Sequence, residues 1–191
     1  MPTTAPKPAN DAREALLDRL YALFRTGGFE AVSIGDVSRE TGLGKSSLYH
    51  YFPGGKDDMA LAVAERAAAR VRALVIAPLG APVDRARRIG AMIAAVDALY
   101  AGGEAPCPIA AMTLSDAPAA TRACLAALLR DWLAALAEAL VATGAAPDAA
   151  EARAFAAVSR IEGGLMIARA LDDRARFVAE LARIERDLTG D

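Results

Sequence analysis

Residues 33–56, SIGDVSRETGLGKSSLYHYFPGGK, constrain this chain more than any other stretch. Ser33 followed three positions later by Asp36 predicts a capped helix start. Ile34 and Val37 give that short helix an inward face, and Asp36, Arg39 and Glu40 look outward. Gly42 predicts a turn, because glycine enters backbone conformations that side chains forbid, and Leu43 fills the corner. Lys45 to Phe52 read as a second helix, with Leu48 and Phe52 four apart and facing in. Lys45, Ser46, Ser47, Tyr49 and His50 are then left for a partner. Lysine, hydroxyls and an imidazole, with no carboxylate among them, suit phosphates and base edges. The pattern predicts a helix-turn-helix.

The rest of the chain says what kind of body carries this motif. Of 191 residues 54% are hydrophobic, ample for a buried core. The apolar excess is alanine and leucine rather than β-branched residues, so the fold class is all-α. No window offers the roughly 18 uninterrupted apolar residues of a membrane span. Asp97 interrupts the best candidate, Ile89 to Ala101. The first ten residues hold three prolines and no apolar run, unlike a secretory signal. Two cysteines make no disulfide framework. The expectation is a soluble, cytoplasmic protein that needs no cofactor.

Charge distribution matters more than the total of -2. Residues 1–56 carry seven Lys/Arg against six Asp/Glu, whereas the remainder carries fifteen against eighteen. All three lysines (Lys7, Lys45, Lys56) lie in the first part, two of them flanking the second helix of the motif. Local charge at the docking face decides phosphate attraction.

Three regions follow: a disordered tail over 1–10, a three-helix DNA-binding domain over 11–56, and a larger helical domain over 57–191. Leu16, Leu17, Leu20, Leu23 and Phe24 predict a helix over 11–26, closed by Gly27-Gly28. Six of the ten aromatics fall before Lys56, where large rings fill a small interior efficiently. Beyond it, Lys56 to Ala77 read as one long helix stopped by Pro78 and Gly80. Further helices are predicted over 82–101, 107–114, 117–143, 148–171 and 173–188. A helical enzyme is set aside, since no His/Cys/carboxylate cluster has ligand spacing and no glycine-rich phosphate loop follows a strand. No catalytic residue and no metal ligand is assigned.

The tract TGLGKSSLYHYFPGGK, with the preceding helix that carries Leu16, Leu20 and Phe24, resembles the tetracycline-repressor (TetR) family. The Pro53-Gly54-Gly55 insertion, Cys107-Pro108 and Glu162-Gly163-Gly164 are similar to its lincomycin-resistance-repressor branch. Gly44 stands where the family more often carries serine, and Tyr49-His50-Tyr51-Phe52 where it often reads Tyr-Tyr-His-Phe. The resemblance implies a homodimeric regulator, most often a repressor, that leaves a palindromic double-stranded operator when a small apolar effector binds the C-terminal domain. The rival reading is a helical protein-interaction module that has lost DNA binding.

Ser33, Gly44, Lys45, Ser46, Ser47, Tyr49, His50 and Lys56 are accordingly the DNA-binding candidates, with Ser33 and Lys56 as phosphate clamps at helix starts. Tyr51 is expected partly in the core. The resemblance makes Met92, Tyr100, Cys107, Met112, Trp132, Phe155 and Met166 the wall of an effector pocket, and simple core is the alternative for each. Trp132 leads them, because a buried indole N–H wants a polar partner. Cys107 and Cys124 read as buried thiols. Small residues at Gly163, Gly164 and Ala168, with Arg160, point to a subunit seam, or else the glycines clear space for a ligand.

Overall fold

The computed structural model describes residues 8–113 and 116–190. Among the described residues it holds helices and turns and no strand. The α-helices are α1 (Pro8–Ala31), α2 (Ile34–Thr41), α3 (Lys45–Tyr51), α4 (Lys56–Val71), α5 (Arg85–Leu99), α6 (Pro108–Thr113), α7 (Ala119–Val141), α8 (Pro147–Ala170) and α9 (Arg174–Thr189). No helix among the described residues is long and apolar enough to cross a membrane.

Two compact units form, one from Met1–Ala67 with Pro108–Cys124 and the other from Ala68–Cys107 with Leu125–Asp191. The expected boundary at residue 56 falls inside the first unit. The first unit keeps most of α4 and takes in α6, which packs along α1. Sequence order hid that, because α6 returns to α1 from far along the chain. Of the tail expected over 1–10, residues 1–7 lie outside the described residues, and α1 begins at Pro8.

The interior of the first unit is built from Leu16, Leu17, Leu20 and Phe24 of α1, Val37 of α2, Leu48 and Phe52 around α3, and Met59 and Val63 of α4. Arg66 on α4 reaches back to α1, its guanidinium 2.5 Å from both Glu14 Oε2 and Asp18 Oδ1. These pairs are partly exposed, so they fix geometry more than they add stability.

The second unit packs α8 against α9 and α5 against α9. Phe177, Leu181, Ile184 and Leu188 form the buried stripe of α9, at steps of four and three that keep one helical face inward. After α4 the backbone widens to a π-helix over Arg72–Ile76 and tightens to a 3-10 turn over Ala77–Gly80. The long helix expected to Ala77 thus changes pitch before it ends. Pro78 accounts for that: it has no N–H for the carbonyl four residues back, and its ring crowds that carbonyl.

Candidate nucleic-acid interface

The start of α2 is held by a reciprocal cap. Ser33 Oγ accepts from the Asp36 N–H at 3.1 Å, and the Ser33 N–H donates to Asp36 Oδ2 at 2.9 Å. The Ser33 hydroxyl donates to the same carboxylate oxygen at 2.5 Å. These hydrogen bonds, helped by Arg39 beside it, hold the Asp36 carboxyl below its ordinary pKa. Both Ser33 donors are therefore committed to a carboxylate. A phosphate clamp at Ser33, as the sequence leads one to expect, would have to share these donors with Asp36.

The turn is secured from three sides. Gly42 sits at φ 71° and closes α2 with its N–H on the Ser38 carbonyl at 2.9 Å. Ser38 Oγ donates to the Leu43 carbonyl at 2.6 Å. From α1, Arg19 donates to the carbonyls of Glu40 and Thr41 at 3.0 and 3.2 Å. A cation at a helix C-terminus satisfies carbonyls that have no helical partner. Sequence reasoning missed Arg19, because nothing along α1 marks which arginine meets another helix.

Helix α3 then presents the expected face. Leu48 and Phe52 are buried, whereas Lys45, Ser46, Ser47, Tyr49 and His50 are exposed. Tyr51 is half-buried, with its ring edge-on to His50 at 5.8 Å. Gly44 is the N-cap and offers no side-chain bond, and a Cβ there would meet nothing within 4 Å. A serine would fit, so only the hydroxyl is missing. Lys56 opens α4 with its Nζ 4.2 Å from the centre of the Phe29 ring. The Arg13 guanidinium lies 5.8 Å from the Phe52 ring.

In the second unit, Tyr100, Cys107 and Glu162 meet. The Tyr100 hydroxyl is 3.3 Å from Cys107 Sγ and 3.2 Å from Glu162 Oε1, and Cys107 Sγ is 3.5 Å from that same oxygen. The Tyr100 ring stands edge-on to Phe177 at 6.3 Å. Burial raises the Glu162 carboxyl above its ordinary pKa, and burial with the neighbouring thiol and carboxyl pushes the Tyr100 phenol well up. The Trp132 indole nitrogen is buried with no hydrogen-bond partner among the described residues.

The seven candidates for an effector wall differ in their burial. Met92, Tyr100, Cys107 and Trp132 are buried in the second unit, and Met112 is buried in the first. Phe155 and Met166 stand apart from these, at 65% and 64% exposure. The inward face of α8 runs through Ala154, Ala157, Val158, Ile161, Leu165 and Ala168, and both residues fall off it. Phe155 instead borders an open groove of about 780 Å³ with Leu133, Ala137 and Val141.

The seam candidates divide in the same way. Arg160 pairs with Glu180 at 2.7 Å and Asp187 at 2.6 Å on α9 of its own chain. Gly163 opens on free space, and Gly164 faces Glu180 and Phe177. Ala168, at 1% exposure, faces its own core. Ile167, Leu171 and Val178 are apolar and exposed. In a helix that is apolar nearly all round, periodicity does not say which side is covered by the chain itself.

A head of this shape, with a capped α2, a left-handed glycine turn and a bare polar α3, defines a helix-turn-helix regulator. Residues 16–63 match the family model for the N-terminal part of bacterial regulatory proteins of the TetR family. Residues 82–180 match that for the C-terminal domain of LmrA/YxaF-like transcriptional regulators. The chain belongs to the TetR family of transcriptional regulators, in its LmrA/YxaF-like branch. It is 30% identical to the regulator Rv0196 of Mycobacterium tuberculosis, over 84% of this chain and 86% of that one. It is 25% identical to LmrA of Bacillus subtilis, over 82% and 86%. A TetR-family regulator from Agrobacterium tumefaciens shares the fold with a TM-score of 0.81 at 24% identity, over 95% of this chain and 98% of that one.

Proposed function

We propose that the chain is a cytoplasmic repressor that binds a palindromic DNA operator as a homodimer and leaves it when a small, largely apolar effector binds the second unit. One observation carries the reading: α3 exposes Lys45, Ser46, Ser47, Tyr49 and His50 together, while Leu48 and Phe52 anchor its other side. The side chains left bare are those that donate to phosphates and base edges. In a twofold dimer the two α3 helices would lie about 34 Å apart, one DNA turn, or a multiple of it.

The dimer reading is supported by the apolar residues α8 leaves uncovered, Met166, Ile167 and Leu171, with Val178 on α9. The effector reading is supported by the unpartnered Trp132 N–H and by the half-buried Glu162 beside buried Tyr100 and Cys107, polar groups within an apolar unit. Helix α4 runs by its chain from the first unit into the second, which gives effector binding a covalent path to the reading head. Effector and operator must then weaken each other by the same factor.

The test is selection of duplexes from a randomised library by the full-length protein, followed by affinity against salt. Enrichment of an inverted repeat, with log affinity falling as log salt rises, supports the reading. Lys45→Ala should flatten that slope by roughly one unit. No enrichment at low ionic strength would sink it.

A further inference from the structure

In the turn between α3 and α4, a side chain at either glycine would press on a neighbouring side chain. The Gly54 N–H donates to Asp58 Oδ2 at 2.6 Å, and a Cβ on Gly54 would come within 2.5 Å of Asp58 Oδ1. Gly55 lies at φ 66°, in the left-handed region that other residues enter only at a cost. Its N–H donates to the Phe52 carbonyl at 2.8 Å, and its own carbonyl accepts the Met59 N–H at 3.1 Å. One residue thus closes the end of α3 and opens α4.

At that pivot Gly55 lies directly against Tyr49. A Cβ on Gly55 would lie 3.1 Å from Tyr49 Cε1 and 3.7 Å from the phenol oxygen. Gly55 is buried, whereas Tyr49 remains 48% exposed. The ring rests partly on the turn and stands partly in solvent. An exposed tyrosine on a helix otherwise samples several rotamers, and that freedom is lost when it docks. A surface that holds the ring beforehand removes much of that loss.

We infer that Gly55 is a positioning residue for DNA binding: it is the shelf that holds the Tyr49 ring and fixes where the phenol hydroxyl meets a backbone phosphate. The inference rests on the reading of α3 as the DNA face. The residue next along the turn is Lys56, held over Phe29, so one turn sets both the phenol and an ammonium.

The test uses the full chain and a duplex that it enriches from a randomised library. Affinity is measured for wild type, Tyr49→Phe, Gly55→Ala, Gly55→Asn and Tyr49→Phe with Gly55→Ala, with thermal melting of each. Tyr49→Phe should weaken binding roughly tenfold, as for one lost hydrogen bond to a charged group. Gly55→Ala should weaken it similarly, and the double variant no further. Gly55→Asn tolerates the left-handed backbone but carries the Cβ, so it should lose affinity while losing less stability than alanine. A merely structural glycine would give losses that add, or an asparagine variant that binds like wild type; either outcome overturns the shelf. If Tyr49→Phe binds normally while Lys45→Ala does not, the shelf falls and the reading of α3 stands. If no duplex is bound at all, both fall.

Discussion

Tyr100 and Glu162 meet inside the second unit, the phenol donating to Glu162 Oε1 at 3.2 Å with Cys107 Sγ beside both. The carboxyl is half-buried beside a phenol and a thiol, neither of them cationic. Burial raises its pKa above the ordinary 4.5. A carboxyl with a raised folded pKa contributes stability at low pH, and that contribution is lost as pH rises through the folded pKa. Glu162→Gln keeps an acceptor for Tyr100 without the charge. It should raise the melting temperature at neutral pH, with the advantage over wild type growing as pH rises above 4.5. Melting curves across that range check it, and a constant difference at every pH would refute the assignment.

Ser33 serves the helix start, so its removal should read as lost stability. Ser33→Ala deletes the hydroxyl that accepts from the Asp36 N–H. The cost should be about 1 kcal/mol, as for a typical N-cap. The salt dependence of DNA binding should keep its slope, because no phosphate contact goes with it. A flatter slope in Ser33→Ala would restore Ser33 to the clamp.

Arg19 ties α1 to the end of α2 through the carbonyls of Glu40 and Thr41. Arg19→Ala should destabilise the protein by about 1 kcal/mol. Loosening the turn should also weaken DNA binding, with the salt slope unchanged. Denaturant titration and affinity measurements on the same variant separate these effects from direct phosphate contact.

The exposed apolar residues of α8 offer a test of the seam. Met166→Glu with Ile167→Glu places two carboxylates where the chain leaves apolar surface bare. Sedimentation should change from dimer to monomer, with the monomer retaining its helical content. Gly163 opens on free space, so Gly163→Leu should weaken association by crowding the approach of a second helix. A dimer unaffected by both changes places the seam elsewhere.

The motif was legible in detail because its determinants are local. The Ser33–Asp36 cap, the Gly42 turn and the inward pair Leu48 and Phe52 all depend on residues a few positions apart. The start of α9 followed for the same reason, with Asp173 accepting an N–H there, whereas α5 opens at Arg85 rather than residue 82 and α8 at Pro147 without a side-chain cap. The second unit was less legible. On α8, Phe155 and Ala154 are neighbours of similar sequence character, yet one is exposed and the other buried. Hydrophobicity there is nearly uniform around the helix, so it carries no direction.

The amino-acid order alone determined that the chain is helical, where its short head turns, and which side of α3 stays bare, since backbone sterics and capping act over one or two turns. Tertiary structure decided the rest: that α6 returns to α1, that Arg19 caps a helix other than its own, that Ser33 is occupied by Asp36, and that Glu162 meets Tyr100 and Cys107. Most of those contacts join residues more than twenty positions apart. The Ser33 pair is near in sequence, but only geometry shows that its donors are used up.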